Sequence, residues 1–151
     1  MKHKTFIYTL ILSLLFPFAL IADETVNKSP ADDREYNIFS LKTGIDVITV
    51  SDPDLATSAA TLSVGVGFFQ DPNRAQGIAH FLEHMLFMGS KKYPSPNEYM
   101  EFINQNGGST NAFTAPEQTT YLFSINSNQF EPALDRLSSS LIEPLFEPTM
   151  V

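Results

Sequence analysis

The sequence predicts an α+β fold. Short alternating or β-branched runs at residues 45–50, 58–69, 109–114 and 119–126 are interspersed with helical stretches at 75–88, 97–105 and 129–141. The two kinds of element alternate irregularly, and no internal repeat is visible. Composition agrees with a globular chain, at 43% hydrophobic, 12% aromatic and 17% charged residues without a low-complexity tract.

Each element has a local reason. Residues 23–35 are polar and acidic with a proline, and read as a flexible leader. Ile45-Asp46-Val47-Ile48-Thr49-Val50 alternates as a strand with one buried face does, and Asp52-Pro53-Asp54 turns the chain. The run from Ser58 to Phe69 is a second strand, in which Gly65-Val66-Gly67 permits a bulge or a close backbone approach. No G-x-G-x-x-G or G-K-[ST] completes these glycines, so they are not a phosphate loop. Asp71-Pro72-Asn73 ends the strand and opens a helix over Ala75–Met88, stopped by Gly89. Phe81, Leu82, Met85, Leu86 and Met88 on that helix predict that it is largely buried. Ser95-Pro96-Asn97-Glu98 caps a helix running to Gln105, which Asn106-Gly107-Gly108 terminates. Two strands flank a Pro116-Glu117 turn, and a helix from Gln129 to Leu141 follows.

The first residues differ from the rest. Lys2 and Lys4 precede an apolar run from Phe6 to Ile21, interrupted by Ser13 and Pro17, with Ala22 ahead of Asp23-Glu24. This reads as a cleaved secretory signal over residues 1–22, and the rival reading is an uncleaved anchor, for which the run is short. Export to a bacterial periplasm is expected, with secretion as the alternative, and no stable membrane insertion is expected after cleavage. Removing two lysines and no acids moves the formal charge from −8 to −10, which repels nucleic acid and anionic membranes. The chain has no cysteine, hence no disulfide, thiolate ligand or cysteine nucleophile. Residues 23–151 suffice for one modest domain, small for a peptidase that must surround an extended substrate.

His80-Phe81-Leu82-Glu83-His84 carries the chemistry. On a helix, residues four apart project from one face, so His80 and His84 can grip a single ion. Glu83 stands beside the second imidazole, where its carboxylate reaches a zinc-bound water without ligating the metal. The H-x-x-E-H order is that of inverted zinc peptidases and points to metal-assisted peptide hydrolysis. Either histidine alone would read as an ordinary core or surface residue; beyond the signal, the chain's only histidines are these two. A Ser/His/Asp hydrolase is disfavoured, because no G-x-S-x-G occurs and both histidines are engaged.

With its flanks, the motif resembles the amino-terminal part of the M16 metallopeptidases, the pitrilysin and insulin-degrading enzyme group. The resemblance runs from about Tyr36 to the last residue. It rests on Val64-Gly65-Val66-Gly67, on Gly77–Ser90, on Tyr93-Pro94 with Asn97-Glu98-Tyr99, on Gly107–Thr114 and on Ala133-Leu134-Asp135-Arg136-Leu137. It implies a mixed sheet with helices packed on one side, residues 36–151 being an incomplete M16-like domain. It also implies His80 and His84 as zinc ligands, Glu83 as general base, Zn2+ as cofactor, and a peptide or small protein as substrate. Asn111-Ala112-Phe113-Thr114 becomes an edge strand that binds substrate by main-chain β-addition; read on its own, that polar segment is ordinary sheet. Glu98 and Glu101 read as solvated acids.

In the family the third zinc ligand is a glutamate on a later helix, which the spacing puts beyond Val151. Asp135, Glu143 and Glu147 are the nearest carboxylates and none matches it. Two protein ligands hold zinc weakly where catalytic sites use three, and apolar surface awaiting later helices invites aggregation or a partner. Two functional expectations follow: a zinc-dependent metalloendopeptidase of the M16 type, or an inactive remnant or binding subunit that needs further M16 domains or a partner to supply the third ligand.

Overall fold

The computed structural model describes residues 26–146. The expected signal at 1–22 lies outside them. The chain divides into two compact units at Asp52/Pro53.

In the first unit, β1 (Glu35–Ser40) and β2 (Asp46–Ser51) form an antiparallel hairpin in which Ile38 faces Ile48 and Tyr36 faces Val50. Its turn is closed by the Leu41 amide on the Ile45 carbonyl and the Gly44 amide on the Leu41 carbonyl. The second strand matches expectation to within a residue. The first carries no clear sequence signal, because Ile38 and Phe39 are consecutive and blur the alternation that marks a strand. Arg34 donates to both carboxylate oxygens of Asp32, at 2.8 and 2.7 Å, and the Tyr36 hydroxyl donates to Asp32 at 2.8 Å.

In the second unit, β3 (Thr57–Val64), β4 (Ser109–Thr114) and β5 (Thr119–Asn126) form a sheet of order β3-β5-β4. The α+β class stands, but every pairing among the described residues is antiparallel, so the expected mixed sheet is corrected to two antiparallel ones. For β4 and β5 the connection dictates this: they are joined by a tight turn closed by the Ala115 amide on the Gln118 carbonyl, and so short a link cannot join parallel strands. The strand expected to reach Phe69 stops at Val64, after which Phe68–Gln70 coils into a single 3-10 turn.

Strand alternation sorts the sheet into two faces. Ala60, Leu62, Tyr121, Phe123, Ile125, Thr110, Ala112 and Thr114 share one face by register; Thr61, Ser63, Thr120, Leu122, Ser124, Asn111 and Phe113 share the other. The second face is mostly polar and carries hydroxyl pairs such as Ser63 with Thr120 at 2.9 Å. The first buries the core, in which Tyr121, Phe123 and Ile125 meet Leu86, Tyr99, Ile103, Ala133 and Leu137. Each fully buried Phe or Ile is worth about 1.5–3 kcal/mol of apolar transfer.

The helices lie on that face, as expected. Helix α2 (Glu98–Gln105) contributes Tyr99 and Ile103, and α3 (Phe130–Ile142) contributes Ala133 and Leu137, both at i, i+4 spacing. Arg136 ties the two, donating to Glu98 at 2.9 Å with its guanidinium 3.7 Å from the Phe102 ring centroid. The motif helix α1 (Ile78–Met85) is shorter than expected at both ends. Beyond Met85 the Phe87 and Met88 amides bond to the carbonyls three residues back, tightening the coil out of α geometry. Nor is it largely buried: Glu83, Met85 and Leu86 face inward, whereas Phe81 and Leu82 are nearly half exposed, because α1 touches the sheet along one side only.

Candidate metal centre

Helix α1 begins where the backbone permits. Gly77 takes a positive φ of 86°, a conformation that costs glycine little. The buried carboxylate of Asp71 then accepts the amides of Gly77 at 2.6 Å and Ala79 at 3.0 Å, capping the helix from outside it. The sequence marks Asp71-Pro72-Asn73 as the end of the strand and the opening of the helix; that the Asp71 carboxylate caps the helix depends on the turn through Pro72 and Ala75, which folds it back.

One turn on, His80 and His84 stand on the exposed side of α1 with their Nε2 atoms 3.1 Å apart and ring planes inclined by 51°. Two nitrogens each about 2.0–2.1 Å from one tetrahedral zinc ion lie about 3.3 Å apart. The imidazole pair therefore fits an ion with almost no rearrangement, and its exposure would leave such an ion reachable. Glu83 completes the set, with one potential ligand atom from each of the three residues lying within 4.8 Å of the others. It is buried, 6% exposed, and its Oε2 accepts the Thr114 hydroxyl at 2.6 Å. Close by sits Tyr121, whose phenol is pushed up to about 12, first by burial and then by the charge of Glu83.

Of the edge-strand residues, Thr114 reaches the centre through Glu83. Ala112 shares its face, whereas Asn111 and Phe113 lie on the opposite one. No described strand pairs with the outer edge of β4. The remaining acids are engaged elsewhere: Glu98 by Arg136, Asp135 by Lys92 and Tyr93, and Glu143 by Lys91. Glu101 is exposed, and Glu147 lies outside the described residues. Thr119, beside Thr114, and Tyr121, beside Glu83, carry no signal in the sequence. They belong to a strand well downstream of the motif, and only pairing brings them in.

The described residues contain no helix long and apolar enough to cross a membrane. Residues 46–151 match the profile of Insulinase (Peptidase family M16). The chain is 46% identical to human insulin-degrading enzyme over 122 residues, covering 81% of this chain and 12% of that protein. It is 43% identical to Protease 3 of Escherichia coli K12 over 124 residues, covering 82% and 13%. The crystal structure of pitrilysin superposes with a TM-score of 0.81 at 42% identity, covering 83% of this chain and 13% of that one. The chain thus spans about an eighth of the length of these relatives, yet that eighth includes the paired imidazoles and the buried carboxylate. It belongs to peptidase family M16.

Proposed function

We propose that the chain carries the metal-binding and general-base portion of a zinc-dependent metalloendopeptidase. The observation that supports this most directly is the pair of Nε2 atoms 3.1 Å apart on one helix face with a buried carboxylate beside them. A bound zinc ion would supply Lewis acidity, polarising the scissile carbonyl and acidifying the attacking water. His80 and His84 would provide two of its ligands, and a third would come from another segment or a partner subunit. Glu83 takes the proton of the attacking water as the new carbon–oxygen bond forms, then delivers it to the amine nitrogen as the carbon–nitrogen bond breaks. The outer edge of β4, at Asn111–Thr114, receives the main chain of an extended peptide or small protein. The protein works after export, in a bacterial periplasm.

A second reading, a binding subunit or inactive remnant, draws on the exposure of Ile78, Phe81 and Leu82 around the motif. One preparation tests both: the product of the native gene, its intact mass determined in cell extract and then purified. The enzymatic reading expects a product several times the size of this chain, stoichiometric zinc, and peptide hydrolysis abolished by a chelator and restored by zinc. Glu83→Gln keeps the metal and loses hydrolysis, while His80→Ala and His84→Ala lose both. A product no longer than these 151 residues that holds no zinc and cleaves no peptide favours the second reading. Full activity in Glu83→Gln removes the first.

A further inference from the structure

The Thr114 hydroxyl has one proton, and the geometry decides where it goes. Across the sheet, Thr119 donates to the Val66 carbonyl at 2.8 Å, which leaves its 3.5 Å approach to Thr114 as a weak contact. Glu83 Oε2 lies 2.6 Å from Thr114 Oγ1 and is the near acceptor for that proton. Thr114 is therefore the donor and Glu83 the acceptor. Its backbone is held on two sides: it pairs with Thr119 in the ladder, and the carbonyls of the next two residues, Ala115 and Pro116, accept the amides of Phe68 at 3.1 Å and Phe69 at 2.9 Å.

Resting on the assignment of Glu83 as the base, we propose that Thr114 is the positioning residue for that carboxylate. Its hydroxyl immobilises Oε2, so that Oε1 alone is left to take the proton from water. A flexible glutamate side chain has rotamers in which its carboxylate turns away, and a charge-assisted bond of this length removes them. The donor sits at the last position of β4, so the base on α1 is tied by a hydrogen bond to the strand whose edge receives the peptide. A peptide seated on that edge is thereby placed in register with Oε1. Misplacement of a reacting group by about 1 Å costs on the order of a hundredfold in rate. Among the residues of the edge strand, Thr114 thus acts on the chemical step through its side chain and Glu83, while its main chain belongs to the edge that receives the peptide.

The test uses the protein expressed from its own gene, with Thr114→Val removing the hydroxyl at constant shape and Thr114→Ser retaining it. Expected is a fall in kcat of about ten- to a hundredfold for Thr114→Val, with KM and zinc dissociation constant within about twofold of wild type. Thr114→Ser recovers most of kcat. On the residual rate that Glu83→Gln retains, Thr114→Val costs nothing further, because the two act as one unit. A crystal structure of metal-free Thr114→Val shows the Glu83 carboxylate in a new or multiple orientation while β4 is unmoved. Equal rates for Thr114→Val and wild type, equal losses in the Val and Ser variants, or additive losses with Glu83→Gln would each overturn the proposal. If Glu83→Gln itself retains full activity, the base assignment fails first, and the unchanged or changed carboxylate orientation still decides whether Thr114 positions it.

Discussion

Asp71 and Ala79 are joined by a hydrogen bond of 3.0 Å, from the helix amide to the carboxylate, and a second bond from Gly77 to the same carboxylate completes a cap built by a residue outside the helix. Free amides at a helix start need acceptors, and a negative charge there also opposes the helix dipole. Helix α1 is only eight residues long, too short to persist on propensity alone. Its orientation, and with it the spacing of His80 and His84, depends on what fixes its ends.

Asp71→Ala is accordingly expected to destabilise by about 1–2 kcal/mol, the usual cost of a lost cap, and to weaken zinc binding by displacing the first imidazole. Asp71→Asn keeps one acceptor and loses the charge, so it falls between Ala and wild type. Thermal unfolding and zinc titration of the three proteins check this. Equal zinc affinity in all three would show that the helix holds its histidines without the cap.

Asp135 supplies a pH-dependent contribution. Its carboxyl is held below the usual range, first by the Lys92 ammonium and then by the Tyr93 hydroxyl. A folded-state value below the unfolded one means stability that is complete above the ordinary aspartate value of 3.8 and is lost as pH falls through the folded value. Asp135→Asn mimics the protonated group, so its stability deficit should be full at neutral pH and vanish in acid below that value. Lys92 and Asp135 are both well exposed, at 57% and 42%, so salt should shrink the deficit at neutral pH. Urea unfolding of both proteins between neutral and acid pH measures it. A deficit that does not change with pH would mean the residue acts by packing instead.

How much of this is legible in sequence follows from where the information lies. The bounds of β4 and β5 can be read to the residue, because Gly107-Gly108 and the Pro116 turn write their ends locally. Helix α1 reads too long, since apolar residues such as Phe81, Leu82, Met85 and Leu86 report a periodicity but not where the hydrogen bonds stop. The same pattern suggests burial that Phe81 and Leu82 do not have. The two histidines and Glu83 are legible because their relation is local to one helix. The hold of Thr114 on Glu83 spans 31 residues and depends on strand pairing, which no local pattern records.

Gly67 makes that pairing possible, and its replacement is the most direct probe of it. A Cβ at Gly67 would stand 2.1 Å from the Ala115 carbonyl oxygen and 2.7 Å from the Gln118 amide nitrogen, both backbone atoms of the β4–β5 turn. Its backbone is extended, with φ −137°, so the bar is steric and not conformational. At Gly65, two residues earlier, a Cβ meets nothing within 4 Å. Gly67→Ala must push the turn outward, at a cost of about 1–3 kcal/mol for overpacking, and Thr114, adjacent to Ala115, moves with it. The expected outcome is a loss of kcat with zinc affinity retained, because α1 itself is untouched, while Gly65→Ala leaves both unchanged. Parallel kinetics and zinc titrations on the two variants measure this. If Gly67→Ala loses stability but keeps kcat, the turn can yield without carrying Thr114 away from Glu83; if zinc affinity falls as well, the turn supports the imidazole pair and not the carboxylate alone.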